Sequence, residues 1–533
     1  MSLTRREMLC TLLGAPLALS ACRRQPRSVP GRMVGARVDV GHRLLDATVE
    51  RVQTPFERVG VLVVGAGPSG LSAAWKLDRL GERDYRVLDL ESQPGGTSAS
   101  GRDGVVPYPW GAHYVPVPGP EQHDLVALLD ELGALERDAG GKWVGSESAR
   151  IRAPEERLFL DGSWHEGLFP SARASGEDLR QWAAFQRHLD TWVGYRDTRG
   201  RRAFTLPLRE CSDAAEVVAL DRVSADSWLR ERRFDSQLLR WYVEYGCRDD
   251  YGASLQQTSA WAMLFYFCAR VTLPGGPSAP FLSWPEGNGR IVDHLRRNIA
   301  GRLRLNQLVT DVLPSASFVD VVAFDASTNA AVRYRADQVI LAVPKFVVRR
   351  ILRPYRDAPP THLAAFRYGA WLVANLHLSD RPRSVGFPLA WDNVLYDSHS
   401  LGYVVASHQA QRDMGRTVWT YYRPFSDLDA GVARKLLQSL DHHTAVDSVL
   451  TDLGRAHADL DTLTERVDVM RWGHAMVTPA PGFIWGADRR RAAEPLGGNV
   501  FFAHSDLSGL PLLEEALDRG VVAAEAVVKQ RRS

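Results

Sequence analysis

One uninterrupted passage constrains this chain more than any other: Val59-Gly-Val-Leu-Val-Val64, then Gly65-Ala66-Gly67-Pro68-Ser69-Gly70, then LSAAWKLDRL closed by Gly81. The first run is apolar and β-branched without alternation, as suits a parallel strand covered on both faces. The last has the apolar spacing of a helix with a glycine at its C-terminal cap. Between them the GxGxxG supplies a tight turn and a bare backbone at Gly65 and Gly67 for a pyrophosphate, and at Gly70 a close contact between helix and strand. Phosphate would then rest on the helix N-terminus, where unpaired N–H groups and the dipole favour negative charge. A GxGxxG alone is weak evidence, but a second strand, Tyr85 to Leu90, follows at the right distance, and the passage predicts a dinucleotide-binding βαβ unit. An acidic residue ending that strand should meet the ribose hydroxyls. Asp89 and Glu91 both qualify; two apart in a strand, they are expected to share a face, so the residues themselves leave both open.

With 533 residues the chain is too long for one core, and two domains are expected. A composition of 45% hydrophobic and 24% charged residues is that of a globular protein, and Lys plus Arg at 65 against 63 Asp plus Glu leaves no electrostatic footprint for nucleic acid. Beyond Cys10 and Cys22 the cysteines are Cys211, Cys247 and Cys268, an odd number without metal-ligand spacing, so neither a disulfide scaffold nor a metal site is expected. Cys268, inside WAMLFYFCARV, reads as a buried thiol.

The first 21 residues read as an export signal: twin arginines Arg5 and Arg6, an apolar stretch too short to span a bilayer, and a small-residue end. Thr-Arg-Arg-Glu-Met-Leu resembles the twin-arginine signal of proteins exported folded, and Leu19-Ser-Ala-Cys22 resembles the lipobox before a lipidated cysteine. The expectation is a lipoprotein anchored to the membrane through Cys22 and facing the periplasm or cell exterior, with residues 22–58 as tether and lead-in.

Gln93-Pro-Gly95-Gly96-Thr97-Ser98 makes a wider resemblance specific. Strand, GxGxxG, helix, acidic strand end and Gly-Gly together resemble the flavin-containing amine oxidase superfamily, which includes monoamine and polyamine oxidases and is related to phytoene desaturases. The resemblance implies noncovalent FAD held by Gly65, Ala66, Gly67, Pro68, Ser69, Gly70, Gly95, Gly96 and Thr97. It ranks Asp89, six positions before the first glycine of the pair, ahead of Glu91. It extends to Trp110-Gly111-Ala112-His113-Tyr114, which would pass near the flavin ring, and to Val309, whose backbone would receive the adenine. Its last matches are the strand ending in Ala342-Val-Pro344 and His504-Ser-Asp506 before a helix from Leu513 to Val528. The implied fold class is α/β: a Rossmann-like FAD-binding domain assembled from residues 59–150, 271–355 and 491–533, with an inserted α+β substrate-binding domain from residues 151–270 and 356–490.

By the same resemblance, three family positions differ here. Asn375 stands at a lysine position, Leu512 at an aromatic one, and His504-Ser505 at Gly-Glu. The expected activity is hydride transfer from a C–N or C–C bond of a small molecule to flavin N5, with oxygen or another acceptor regenerating the cofactor. The catalytic candidates are His113, Tyr114 and Trp472, with His474 and His504 behind them. Two alternatives are a desaturase or isomerase of a hydrophobic, terpenoid-like substrate and a flavin-binding partner protein without turnover.

Overall fold

A computed structural model describes residues 28–45, 55–412 and 414–532; the signal and Cys22 lie outside the described residues. β1 (Phe56–Val64) turns through the glycines into α1 (Pro68–Arg79), and β2 (Tyr85–Leu88) returns parallel to it. Val61 to Val64 are at most 4% exposed, as expected of a strand sandwiched between layers. α2 (Gln237–Tyr251) belongs to a helical layer rich in aromatic residues, with Trp182, Trp228 and Trp241 on its helices. β3 (Ala330–Leu341) pairs parallel with β1 on the side away from β2. β4 (Tyr368–Leu378) and β5 (Thr464–Val477) are long antiparallel neighbours. β6 (Val500–Phe502) runs parallel to β3, and α3 (Leu513–Arg532) packs on α1.

These elements build two sheets. The first orders as Leu303–Arg304, β2, β1, β3, Val319–Asp325 and Gln307–Pro314, with β6 also on β3; it mixes a parallel centre with an antiparallel meander. The second has eight strands, with β5 and β4 followed by Thr417–Pro424, Tyr403–Val405, Asp392–Leu395, Glu156–Leu160 and Ser163–Glu166. Its outermost strand beside β5 is Met33–Gly35, pairing parallel with Val469 to Arg471. Part of the stretch read as tether is therefore a strand of the second sheet.

Close helix packing depends on glycine. A Cβ on Gly520 of α3 would stand 2.2 Å from the Ser69 carbonyl of α1, and one on Gly70 would stand 1.8 Å from the Gly65 carbonyl. Bare backbone at both positions lets the two helices and the glycine turn come together.

Candidate active site

A cavity of about 330 Å³ runs between the two sheets. At one end it is lined by Gly65, Gly67, Ser69, Asp89, Gly96 and Thr97, at the other by Tyr245, Asp249, Asp392, Leu401 and Val404.

At the glycine end, Gly65 has φ +102° and packs against the Ala342 carbonyl, whereas nothing lies within 4 Å of a Cβ built on Gly67. That open backbone precedes α1, which begins with Pro68 at its first position. Asp89 is held beside it: its carboxylate accepts from the Ala66 N–H at 2.5 Å and the Glu91 N–H at 2.8 Å, while burial pushes it up to about 6. Asp89 and Glu91 do not share a face, contrary to the sequence expectation. β2 ends at Leu88, both residues lie beyond its pleat, and the Glu91 carboxylate instead accepts from the Arg37 N–H at 3.0 Å, leaving Asp89 alone on the cavity. The bare cradle, the helix start and the single acid fit an adenine dinucleotide such as FAD. Ala66, Pro68, Gly70 and Gly95 do not line the cavity themselves; Gly95 braces the turn, its N–H donating to the Ala66 carbonyl at 2.9 Å. Val309, on the meander strand Gln307–Pro314, has a buried side chain that does not line this cavity.

The middle of the cavity is gripped from both sheets. A Cβ on Gly111 would meet the Thr97 carbonyl at 2.4 Å, and Ala112 N–H donates to that carbonyl at 2.9 Å. From the second sheet, Trp472 Nε1 donates to the Trp110 carbonyl at 2.7 Å and the Tyr422 hydroxyl to the Gly111 carbonyl at 2.8 Å. His113 stacks on Tyr422 with ring centroids 4.8 Å apart, and burial lowers it to about 4, so its imidazole is neutral at pH 7. His474 is likewise lowered to about 4 by burial. Asp506 accepts from the Tyr368 hydroxyl at 2.5 Å and the Lys345 N–H at 2.9 Å, and its Oδ1 lies 3.0 Å from His504 Nδ1. Burial alone would raise Asp506, but His504 and these hydrogen bonds hold it below the usual carboxylate range.

The far end is acidic, which the sequence reading missed. Asp249 and Asp250 close the last turn of α2; Arg270 donates to both oxygens of Asp250, at 3.0 and 3.3 Å. The Tyr114 hydroxyl reaches Asp250 at 3.2 Å and Asp249 at 3.4 Å. Asp392 accepts from the Tyr245 hydroxyl at 3.1 Å, and burial, then Asp249 and Glu156, push it well above its ordinary value. Trp371, Tyr422 and Tyr245 provide apolar walls. The detectable signal was the doublet Asp249-Asp250 at the end of WYVEYGCRDDY, one turn beyond Tyr245 on an otherwise packed helix.

Asn375 is not in the cavity. Fully buried in β4, its amide donates to the Pro109 carbonyl at 3.1 Å and its oxygen accepts from the Thr420 hydroxyl at 2.7 Å. Trp371 and Val373 of the same strand face the cavity, and Leu512 lines it as well.

The comparisons agree with this arrangement. A sequence profile described as "Flavin containing amine oxidoreductase" matches residues 68–528. The chain is 31% identical over 210 residues to a Mycobacterium tuberculosis protein described as a flavin-containing monoamine oxidase, covering 37% of this chain and 39% of the relative. It is 28% identical over 183 residues to putrescine oxidase of Kocuria rosea, covering 34% and 33%. These matches span less than half of the curated relatives. In three dimensions, wild-type putrescine oxidase bound to putrescine superposes with TM-score 0.63 at 17% identity, over 89% of this chain and 100% of that one. Cyclohexylamine oxidase from Brevibacterium oxydans gives 0.62 at 17%, with the same coverage. Identities this low speak for the fold.

Proposed function

The chain belongs to the flavin-containing amine oxidoreductase family, and from that premise we propose that it is an FAD-dependent oxidoreductase acting on the C–N bond of a small amine. The observation that carries this reading is one cavity joining a dinucleotide cradle at Gly65, Gly67 and Asp89 to a carboxylate end at Asp249 and Asp392. FAD supplies the hydride acceptor. The residues of the chain do the rest: the glycine turn and α1 receive phosphate, Asp89 the ribose, and the acidic end attracts a cation into a site walled by Trp371, Tyr245 and Tyr422. Buried carboxylates facing a cavity suit an ammonium ion and oppose a terpenoid, for which they would be an uncompensated desolvation cost. Putrescine and cyclohexylamine, named for the relatives' enzymes, are the first amines to try.

Purified protein should be yellow with a flavin spectrum, and anaerobic addition of an amine panel should bleach it while a lipid panel does not. A colourless protein that FAD cannot reconstitute, or bleaching by lipids alone, overturns the proposal. For the address, we propose twin-arginine export and a lipid anchor at Cys22, supported by the sequence of residues 1–22. Among the described residues no helix is long and apolar enough to cross a membrane. Cys22→Ala should move the protein from the membrane to the soluble fraction; unchanged membrane association overturns the anchor.

A further inference from the structure

The acidic end of the cavity carries more carboxylates than its own cations neutralise. Arg270, which lines it, is committed to Asp250. Asp392 has the Tyr245 hydroxyl, and Glu514 Oε1 is buried without a hydrogen-bond partner. Asp249 is held only by the Tyr114 hydroxyl at 3.4 Å, the outer limit of a hydrogen bond. It also stands in the last turn of α2, where the helix dipole opposes negative charge, and next in sequence to another carboxylate. The groups around it are Asp250, Glu156 and Arg270, with Tyr114 beside them; its charge is also felt at Asp392, Tyr245, Tyr266 and Tyr422. A charge kept in so unfavourable a place, and facing a cavity, points to use.

We propose that Asp249 is the proton acceptor for the substrate amine. An ammonium group entering the cavity gives one N–H proton to the Asp249 carboxylate: the N–H bond breaks, an O–H bond forms, and the electron pair stays on nitrogen. The product is a neutral amine beside a protonated Asp249. Oxidation of a C–N bond needs that pair, because an ammonium nitrogen has none to share with a carbon that is losing hydride. This inference rests on the amine-oxidising reading above.

The histidines, Lys345 and the other two aspartates of this end are less suited. His113 and His474, both held near 4 by burial, are weak bases at pH 7. His504 is engaged with Asp506. Lys345 is buried away from the cavity, its Nζ donating to the Ala492 carbonyl at 2.6 Å. Asp250 is neutralised by Arg270, and Asp392 already accepts from the Tyr245 hydroxyl at 3.1 Å. Burial and Asp250 raise Asp249 too, which strengthens it as a base while leaving Arg270 to favour its ionised form.

The test compares wild-type holoprotein with Asp249→Asn, using the amine that bleaches the flavin fastest in the panel. At pH 7, where that amine is an ammonium ion, the variant should lose about 100-fold or more in kcat/KM. At pH 10, where the neutral amine is abundant in solution, the two proteins should differ less than about threefold. A second readout needs no turnover: tert-butylamine, which has no hydrogen on the carbon bearing nitrogen, should perturb the flavin absorbance, with its apparent Kd at pH 7 weakened about tenfold in the variant. An equal loss of kcat/KM at both pH values, or unchanged tert-butylamine affinity, overturns the proposal while leaving amine oxidation intact. A holoprotein that no amine bleaches overturns the functional reading and this one with it.

Discussion

Asp249 is where site chemistry and stability oppose one another. Burial and Asp250 raise its folded-state pKa above the unfolded carboxylate value of about 4, so its contribution to stability declines as pH rises beyond that value. Asp249→Asn should therefore raise the melting temperature of the holoprotein by about 2 °C or more at pH 8 and leave it nearly unchanged at pH 4.5, a difference that calorimetry would detect. Asp506 has the opposite sign: lowered in the fold, it stabilises above the unfolded value and loses that contribution as the solution is acidified. Gly67 offers a cleaner residue-level test. Its empty Cβ position is open to the cradle, and Gly67→Asp would place bulk and charge where phosphate must lie, so FAD should be lost on gel filtration while the fold persists. The glycine turn was legible in the sequence because its parts are contiguous and each glycine answers a local need. The choice between Asp89 and Glu91 was not, because pleat alternation stops with β2 at Leu88.

At the scale of elements, the crossing of α1 and α3 is set by one missing side chain. Gly520→Val must displace the Ser69 carbonyl, 2.2 Å from the Cβ position, or separate the helices; a loss of about 1–3 kcal/mol and faster FAD release are expected by thermal melting and cofactor retention. β4 makes a different point. The resemblance puts Asn375 at a lysine position; on β4 it shares the face of Trp371 and Val373, but it lies past the end of the cavity, bound to the Pro109 carbonyl and the Thr420 hydroxyl. Asn375→Lys should destabilise by about 1–3 kcal/mol and gain no activity, because a longer charged side chain must be forced into a filled site, giving up the hydrogen bond from Thr420, and its nearest counter-charge, Asp468 directly opposite on β5, is outside the cavity. The acidic end was hidden from the sequence for a related reason. Asp249 ends a helix, Asp392 begins a strand, and Glu156 begins another; only the second sheet brings them together. Such a constellation has no spacing to read.

For the whole molecule, the family's order of motifs anticipated the interleaved segments of the first sheet, since strands from residues 56–64, 330–341 and 500–502 lie side by side. The lead-in carried no such pattern, yet Met33–Gly35 forms the outermost strand of the second sheet, beside β5. With Cys22 lipidated as proposed, only six residues separate it from buried Val29, a reach of at most about 25 Å. Any tug from the bilayer would then enter at Val29 and Pro30 and pass into Met33–Gly35, along the strand and across its hydrogen bonds to β5. Bonds loaded sideways share the force instead of parting one by one, so the seam that completes the sheet would also act as the mooring of the enzyme.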